Sequence, residues 1–208
     1  MNRLLSDSER AHLAQLVANV ESRTAGELVT VVARRSDQYL GFRIGWSAAF
    51  GLLSAAVVHL LSPDLPAMEL LGAETLCLLL AYGALGNATL LRLVVPRIVR
   101  QNSTSQKAQR LFLTLGVTET RDRSGILILL SEFERRVEII GDRGIHEHLG
   151  AEAWKSQVNE LVKSIQKGRA AEGLAQVIEH LGRELSARFP PRADDVNELP
   201  DHIIVDDS

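Results

Sequence analysis

Residues 135–150, "RRVEIIGDRGIHEHLG", set a Gly-Asp-Arg-Gly turn against a His-Glu-His triplet, directly after an apolar run. Zinc would be the chemistry of His146-Glu147-His148, since imidazole nitrogens bind that ion. A metalloprotease helix, however, needs histidines at i and i+4 on one face, with a glutamate beside the first. Two residues apart on a helix, the side chains diverge by roughly 200°. The spacing therefore argues against a histidine site, and polar residues in the first turn of a helix account for the triplet.

Carboxylates offer a second possibility. Asp142 and Arg143 stand where a strand ends and a helix begins, a position that favours ligands in α/β sheets and anions at helix N-termini. Arg121, Asp122 and Arg123 precede a neighbouring strand. If the two strands form a hairpin, both clusters share one sheet edge. Asp122, Asp142 and Glu27 are then candidate ligands for a hard cation, Ca2+ or Mg2+. Arg123 and Arg143 are candidate anion contacts at the same edge. Turn formation is the competing explanation and the favoured one, because Gly and Asp dominate turns for conformational reasons. No catalytic residue is identified: Ser124 and Ser131 have no general base nearby in sequence, and no Gly-x-x-x-x-Gly-Lys phosphate loop is present. A phosphatase would need such a nucleophile or a metal-bound water.

The elements that position these residues follow from patterning. The chain has 208 residues, 46% of them hydrophobic, with a net charge of -3, which gives no reason to expect a nucleic-acid partner. Its charge is segregated: between Gly41 and Val95 charged residues are scarce, while both flanks are rich in them. Residues 41–61, "GFRIGWSAAFGLLSAAVVHLL", are long enough to cross roughly 30 Å of hydrocarbon as a helix. A Pro-containing breaker follows, then a second apolar stretch over 70–95. Glu74 is expected at the interface, with the span proper beginning near Thr75. Small residues at Gly45, Gly51, Gly83 and Gly86 suit close helix packing, within the chain or against another membrane protein or a second copy. Arg34, Arg35 and Arg43 precede the first span and Arg92, Arg97, Arg100, Lys107 and Arg110 follow the second, whereas the connecting loop holds Asp64 and Glu69 and no Lys or Arg. The positive-inside rule then places both termini in the cytoplasm of an inner-membrane, multi-pass protein. The lone cysteine, Cys77, rules out an internal disulfide. The N-terminal residues lack the apolar run of a secretory signal.

Outside the apolar zone, Ser6 and Glu9 have the spacing of a capping box at the start of a helix bearing Leu13, Leu16, Val17 and Val20. "GELVTVVARRS" reads as a buried strand. "NSTSQKAQRLFLTLGV" reads as a helix stopped by Gly116, and residues 125–131 and 135–141 as an antiparallel hairpin. Two helices follow. One carries Trp154, Val158, Leu161, Val162 and Ile165 and closes at Gly168; the other is ended by Pro190-Pro191. The expected organisation is an α/β domain in two parts, 1–40 and 96–190, interrupted by a transmembrane helical hairpin over 41–95. An acidic tail, 191–208, is expected to be disordered, with "HIIV" available for an edge contact.

This ordered set resembles the TPM domain family, known from thylakoid-lumen, photosystem-repair and acetylcholine-receptor-accessory members. The resemblance rests on Thr24-Ala25-Gly26-Glu27 leading into the first strand, the Gly-Ile-Leu-Ile strand from Gly125, the Arg-Arg-Val-Glu-Ile strand from Arg135, and the glycine-bearing turn after it. It implies a small α/β/α sandwich. It also implies one of two functions: a non-enzymatic accessory or assembly role at a membrane complex, or a divalent-metal-dependent or acid phosphatase. Many members carry the domain behind a signal peptide. Here no signal is visible and two apolar spans divide the domain.

Overall fold

The structure, a computed structural model, describes residues 5–149, 169–191, 199 and 204–206. It divides into two compact units, residues 1–36 with 101–208, and residues 37–100.

The first unit is built on a four-stranded mixed sheet of order β3-β2-β1-β4, with β1 at Leu28–Ala33, β2 at Ile126–Ser131, β3 at Arg136–Gly141 and β4 at Ile204–Asp206. β1 and β2 pair in parallel, Leu28 opposite Ile126 through to Ala33 opposite Ser131, and both are buried along their whole length. Full burial is why they read as continuous apolar runs and not as alternating ones. β2 and β3 form the expected antiparallel hairpin, Ile126 opposite Gly141 and Ser131 opposite Arg136. β3, at the sheet margin, alternates buried and half-buried residues. β4 pairs in parallel with β1. Three residues of the acidic tail therefore form a strand, the edge contact anticipated for "HIIV".

Helices cover both faces of the sheet. Leu28, Val32, Ile126, Ile128, Leu130, Val137 and Ile139 pack beneath α1 (Asp7–Glu21) and the helix here numbered α7 (Ala170–Arg188). Alternate residues Val29, Val31, Ala33, Leu127 and Leu129 pack on the other face with Ala108 and Phe112 of α5 (Arg97–Thr114). Period-two alternation along each strand thus feeds two cores, giving the three-layer sandwich. The capping box of α1 is present. The Ser6 side chain accepts from the Glu9 amide at 3.2 Å, and the Ser6 amide donates to Glu9 Oε2 at 2.7 Å. α1 crosses α7 closely where Gly182 meets Val20, whose Cγ1 would lie 2.6 Å from any added Cβ. The helix expected around Trp154 to Gly168 lies outside the described residues.

The second unit consists of α2 (Leu40–Leu61), α3 (Ala67–Ala84) and α4 (Ala88–Val94). α2 is one continuous helix over the first apolar stretch, 41–61. The second apolar stretch is not one helix to residue 95, because it breaks after Ala84. There Gly86 turns the chain and the Asn87 side chain accepts the Thr89 amide at 2.8 Å, capping a new helix. α2 and α3 pack against each other along their length. Gly51, halfway along α2, brings the two helices together: an added Cβ would stand 3.3 Å from Leu78 Cβ and 3.4 Å from the Glu74 carbonyl oxygen. At the open end of the hairpin the Arg43 guanidinium lies 4.3 Å from the centroid of the Tyr82 ring and donates to the Tyr82 carbonyl at 3.3 Å. Both α2 and α3 are long and apolar enough to cross a membrane, and their most apolar windows are 11% and 0% buried.

Candidate functional site

The sheet has two ends, and the candidate residues lie at one of them. β2 begins and β3 finishes where Asp122, Arg123, Asp142 and Arg143 stand, so the hairpin does bring the two clusters to one edge. That edge is a tightly folded backbone corner. The Asp142 amide donates to the Gly125 carbonyl at 2.9 Å, and the Gly144 amide donates to the Arg123 carbonyl at 3.0 Å. Any Cβ on Gly144 would lie 2.7 Å from the Asp122 carbonyl oxygen and 2.8 Å from that of Arg123. Glycine is needed there for close approach of two backbones, not for a ligand. Arg123 itself occupies the left-handed region, φ 53°.

Asp142 is buried. Its Oδ1 accepts the amide of Arg143 at 2.7 Å, and its Oδ2 makes no hydrogen bond but faces the Arg123 guanidinium at 3.7 Å. Asp122 is half-exposed, and Glu27, buried, precedes β1. Among the described residues no group of three or more His, Cys, Asp or Glu side chains is gathered to hold a metal ion. Arg143 turns along its own helix, α6 (Arg143–Leu149), and pairs with Glu147 at 2.8 Å while remaining well exposed. The side chains of His146 and His148 lie outside the described residues.

The opposite end holds residues that sequence reasoning missed. Because β1 and β2 are parallel, both carboxyl ends point away from Asp142. In open α/β sheets the carboxyl end of the parallel strands is the favoured place for function. A buried polar cluster occupies it here. Ser131, the last residue of β2, donates its hydroxyl to Glu134 Oε2 across the turn into β3, while Glu134 Oε1 accepts the Ser36 amide at 3.0 Å. Ser36 Oγ lies 2.9 Å from Ser131 Oγ and 3.3 Å from Thr104 Oγ1 of α5. Since Ser131 spends its only proton on the carboxylate, Ser36 is the donor to Ser131. Beside this chain, Lys107 bridges the Arg35 carbonyl at 2.8 Å and the Asp206 carboxylate at 2.9 Å.

A serine donating to a carboxylate has the outline of an activated nucleophile, but Ser131 is 0% exposed and a substrate has no path to it. Binding β1, the β2–β3 turn and α5 to one another is what this arrangement can do. The carboxylate that Ser131 meets is Glu134, three residues on and across the β2–β3 turn. Ser36 and Thr104 bound the apolar segment on either side, but nothing local in the sequence joins them to Ser131 or Glu134.

A family profile described as the TPM domain matches residues 84–184. No curated protein matches the chain. Among solved structures, the chain is similar to the NMR structure of the BA42 protein from the psychrophilic bacterium Bizionia argentinensis. The TM-score is 0.61 at 18% identity, covering 99% of this chain and 97% of that one. At that identity the likeness concerns the fold, a mixed sheet between helices. Residues 84–184 thus carry the match to the TPM domain family, and the structural likeness extends the fold over the whole chain.

Proposed function

We propose that this TPM-domain protein is anchored in the inner membrane by the α2–α3 hairpin and serves as a non-enzymatic accessory or assembly factor for a membrane complex. One observation carries the reading. The hairpin leaves large apolar side chains uncovered along both helices, with Leu52 63%, Leu60 80%, Leu79 59% and Leu80 66% exposed. Water-soluble monomers rarely leave contiguous apolar patches of this kind uncovered, and a bilayer is the solvent that suits them. Arginines at the open end and acidic residues at the closed end favour a multi-pass topology with both termini in the cytoplasm. The lipid bilayer is then the first partner, and another membrane protein the second. Alkaline carbonate should fail to extract the chain from membranes, and a reporter fused after Ser208 should be cytoplasmic. Purification in mild detergent should recover a stoichiometric partner. Extraction by carbonate would end the membrane reading, and repeated recovery of the chain alone would end the accessory one.

A divalent-metal-dependent or acid phosphatase is the alternative, favoured by the buried Asp142 Oδ2, which makes no hydrogen bond. In that case phosphate-ester turnover falls in Asp122→Asn and Asp142→Asn variants. Equal turnover in both variants, or none in the parent chain, removes it.

A further inference from the structure

We propose that Glu74 is a docking point, inside the bilayer, for a basic side chain on a partner transmembrane helix. The inference rests on the membrane reading above and deepens it. Glu74 lies in α3 about 10 Å along the axis from Ala67, at 1.5 Å per residue. Across the hairpin it stands level with the middle of α2, since an added Cβ on Gly51 would come within 3.6 Å of Glu74 Cγ. Residue 74 was expected at the interface, but the register of the two helices carries it to mid-height. Moving it to a surface would drag Arg43 at one end, or Asp64 at the other, out of place. From Arg43 to Leu61 the helix rises about 27 Å, close to the whole hydrocarbon thickness.

A carboxylate at that depth is costly unless it is paired, and ionisable groups within spans are as a rule functional. Glu74 is only half-buried in the hairpin, and among the described residues it makes no hydrogen bond or ion pair. Nor can the hairpin's own cation serve it. Arg43 is held over the Tyr82 ring and on the Tyr82 carbonyl, about 12 Å further along α3. Charge complementarity selects the occupant: a second copy would bring a second carboxylate to the same depth, whereas a lysine or arginine on a partner helix offsets the cost of both charges. Gly51, lacking a side chain, is what lets α2 lie against Glu74 at this level.

The test uses the full chain in phosphatidylcholine vesicles with labelled single-span polyleucine peptides carrying a central Lys, Asn or Leu, association being read by energy transfer. The Lys peptide should associate about five-fold or more tightly than the Leu peptide, and Glu74→Gln and Glu74→Leu should abolish the difference. Equal association of the Lys and Leu peptides, or a preference retained in Glu74→Gln, overturns the inference and leaves membrane anchoring intact. Equal preference for Asn and Lys also overturns it, replacing an ion pair by a neutral hydrogen bond. A chain that alkali strips from the vesicles overturns the membrane reading itself and this one with it.

Discussion

Ser36 and Ser131, ninety-five positions apart in the chain, are joined hydroxyl to hydroxyl at 2.9 Å, and the Ser131 hydroxyl in turn donates to the buried Glu134 carboxylate. The order of donors makes the two serines unequal. Ser131→Ala removes the hydroxyl donor to a buried carboxylate and should lower stability by about 1–3 kcal/mol, the range for stranding a buried polar group. Ser36→Ala leaves that donor in place and keeps the Ser36 amide on Glu134, so it should cost only about 0.5–1.5 kcal/mol. Thermal unfolding in mild detergent, followed by circular dichroism, measures both. A reversed order would contradict the assigned direction of the chain.

Thr30 presents the opposite case. It sits in the middle of β1, 2% exposed, on the face that packs beneath α1 and α7, and its hydroxyl has no hydrogen-bond partner. Thr30→Val keeps the shape and β-branching but deletes the stranded group. It should therefore raise stability by about 1 kcal/mol. Destabilisation in the same unfolding assay would show that the hydroxyl is satisfied.

Glu9 supplies a pH dependence. Its carboxyl is held below its ordinary 4.5, first by the Ser6 hydroxyl and then by the Ser6 amide. Both bonds favour the charged form, so their contribution to folding is fully present above the unfolded value. It is lost as pH falls below 4.5 and through the lowered folded value. The stability difference between the parent chain and Ser6→Ala should be constant at neutral pH and shrink in that acid window. A difference that grows on acidification would have the wrong sign.

The legible parts of this fold were the ones written locally. Ser6 with Glu9, the β2–β3 hairpin with its short turn, and the 22-residue α2 are each decided within a short stretch of chain. The break after Ala84 was missed because apolar composition continues through Leu93, while the interruption depends on one Asn cap and one Gly turn. The parallel pairing of β1 with β2 had no local trace, since the strands are separated by the whole apolar hairpin. That pairing decides which sheet end holds the carboxyl termini. The Ser36, Thr104, Ser131 and Glu134 cluster was therefore invisible until the register was known. Asp122 and Asp142 were correctly placed on one edge, but as parts of a corner.

That corner can be tested by asking whether its glycine or its carboxylate matters more. Gly144 has backbone carbonyl oxygens 2.7 and 2.8 Å from where a Cβ would go, and neither can move without breaking the corner. Gly144→Ala should therefore cost about 1–3 kcal/mol, the usual penalty for overpacking. Asp142→Asn keeps an oxygen for the Arg143 amide and loses only the attraction to Arg123, whose side chain is 61% exposed at 3.7 Å. An ion pair at this distance with one partner largely in solvent contributes about 0–1 kcal/mol, so the Asn variant should stay close to the parent. If Asp142→Asn instead proves the more damaging, the buried carboxylate is holding more than a turn. The edge would then regain its standing as a binding site.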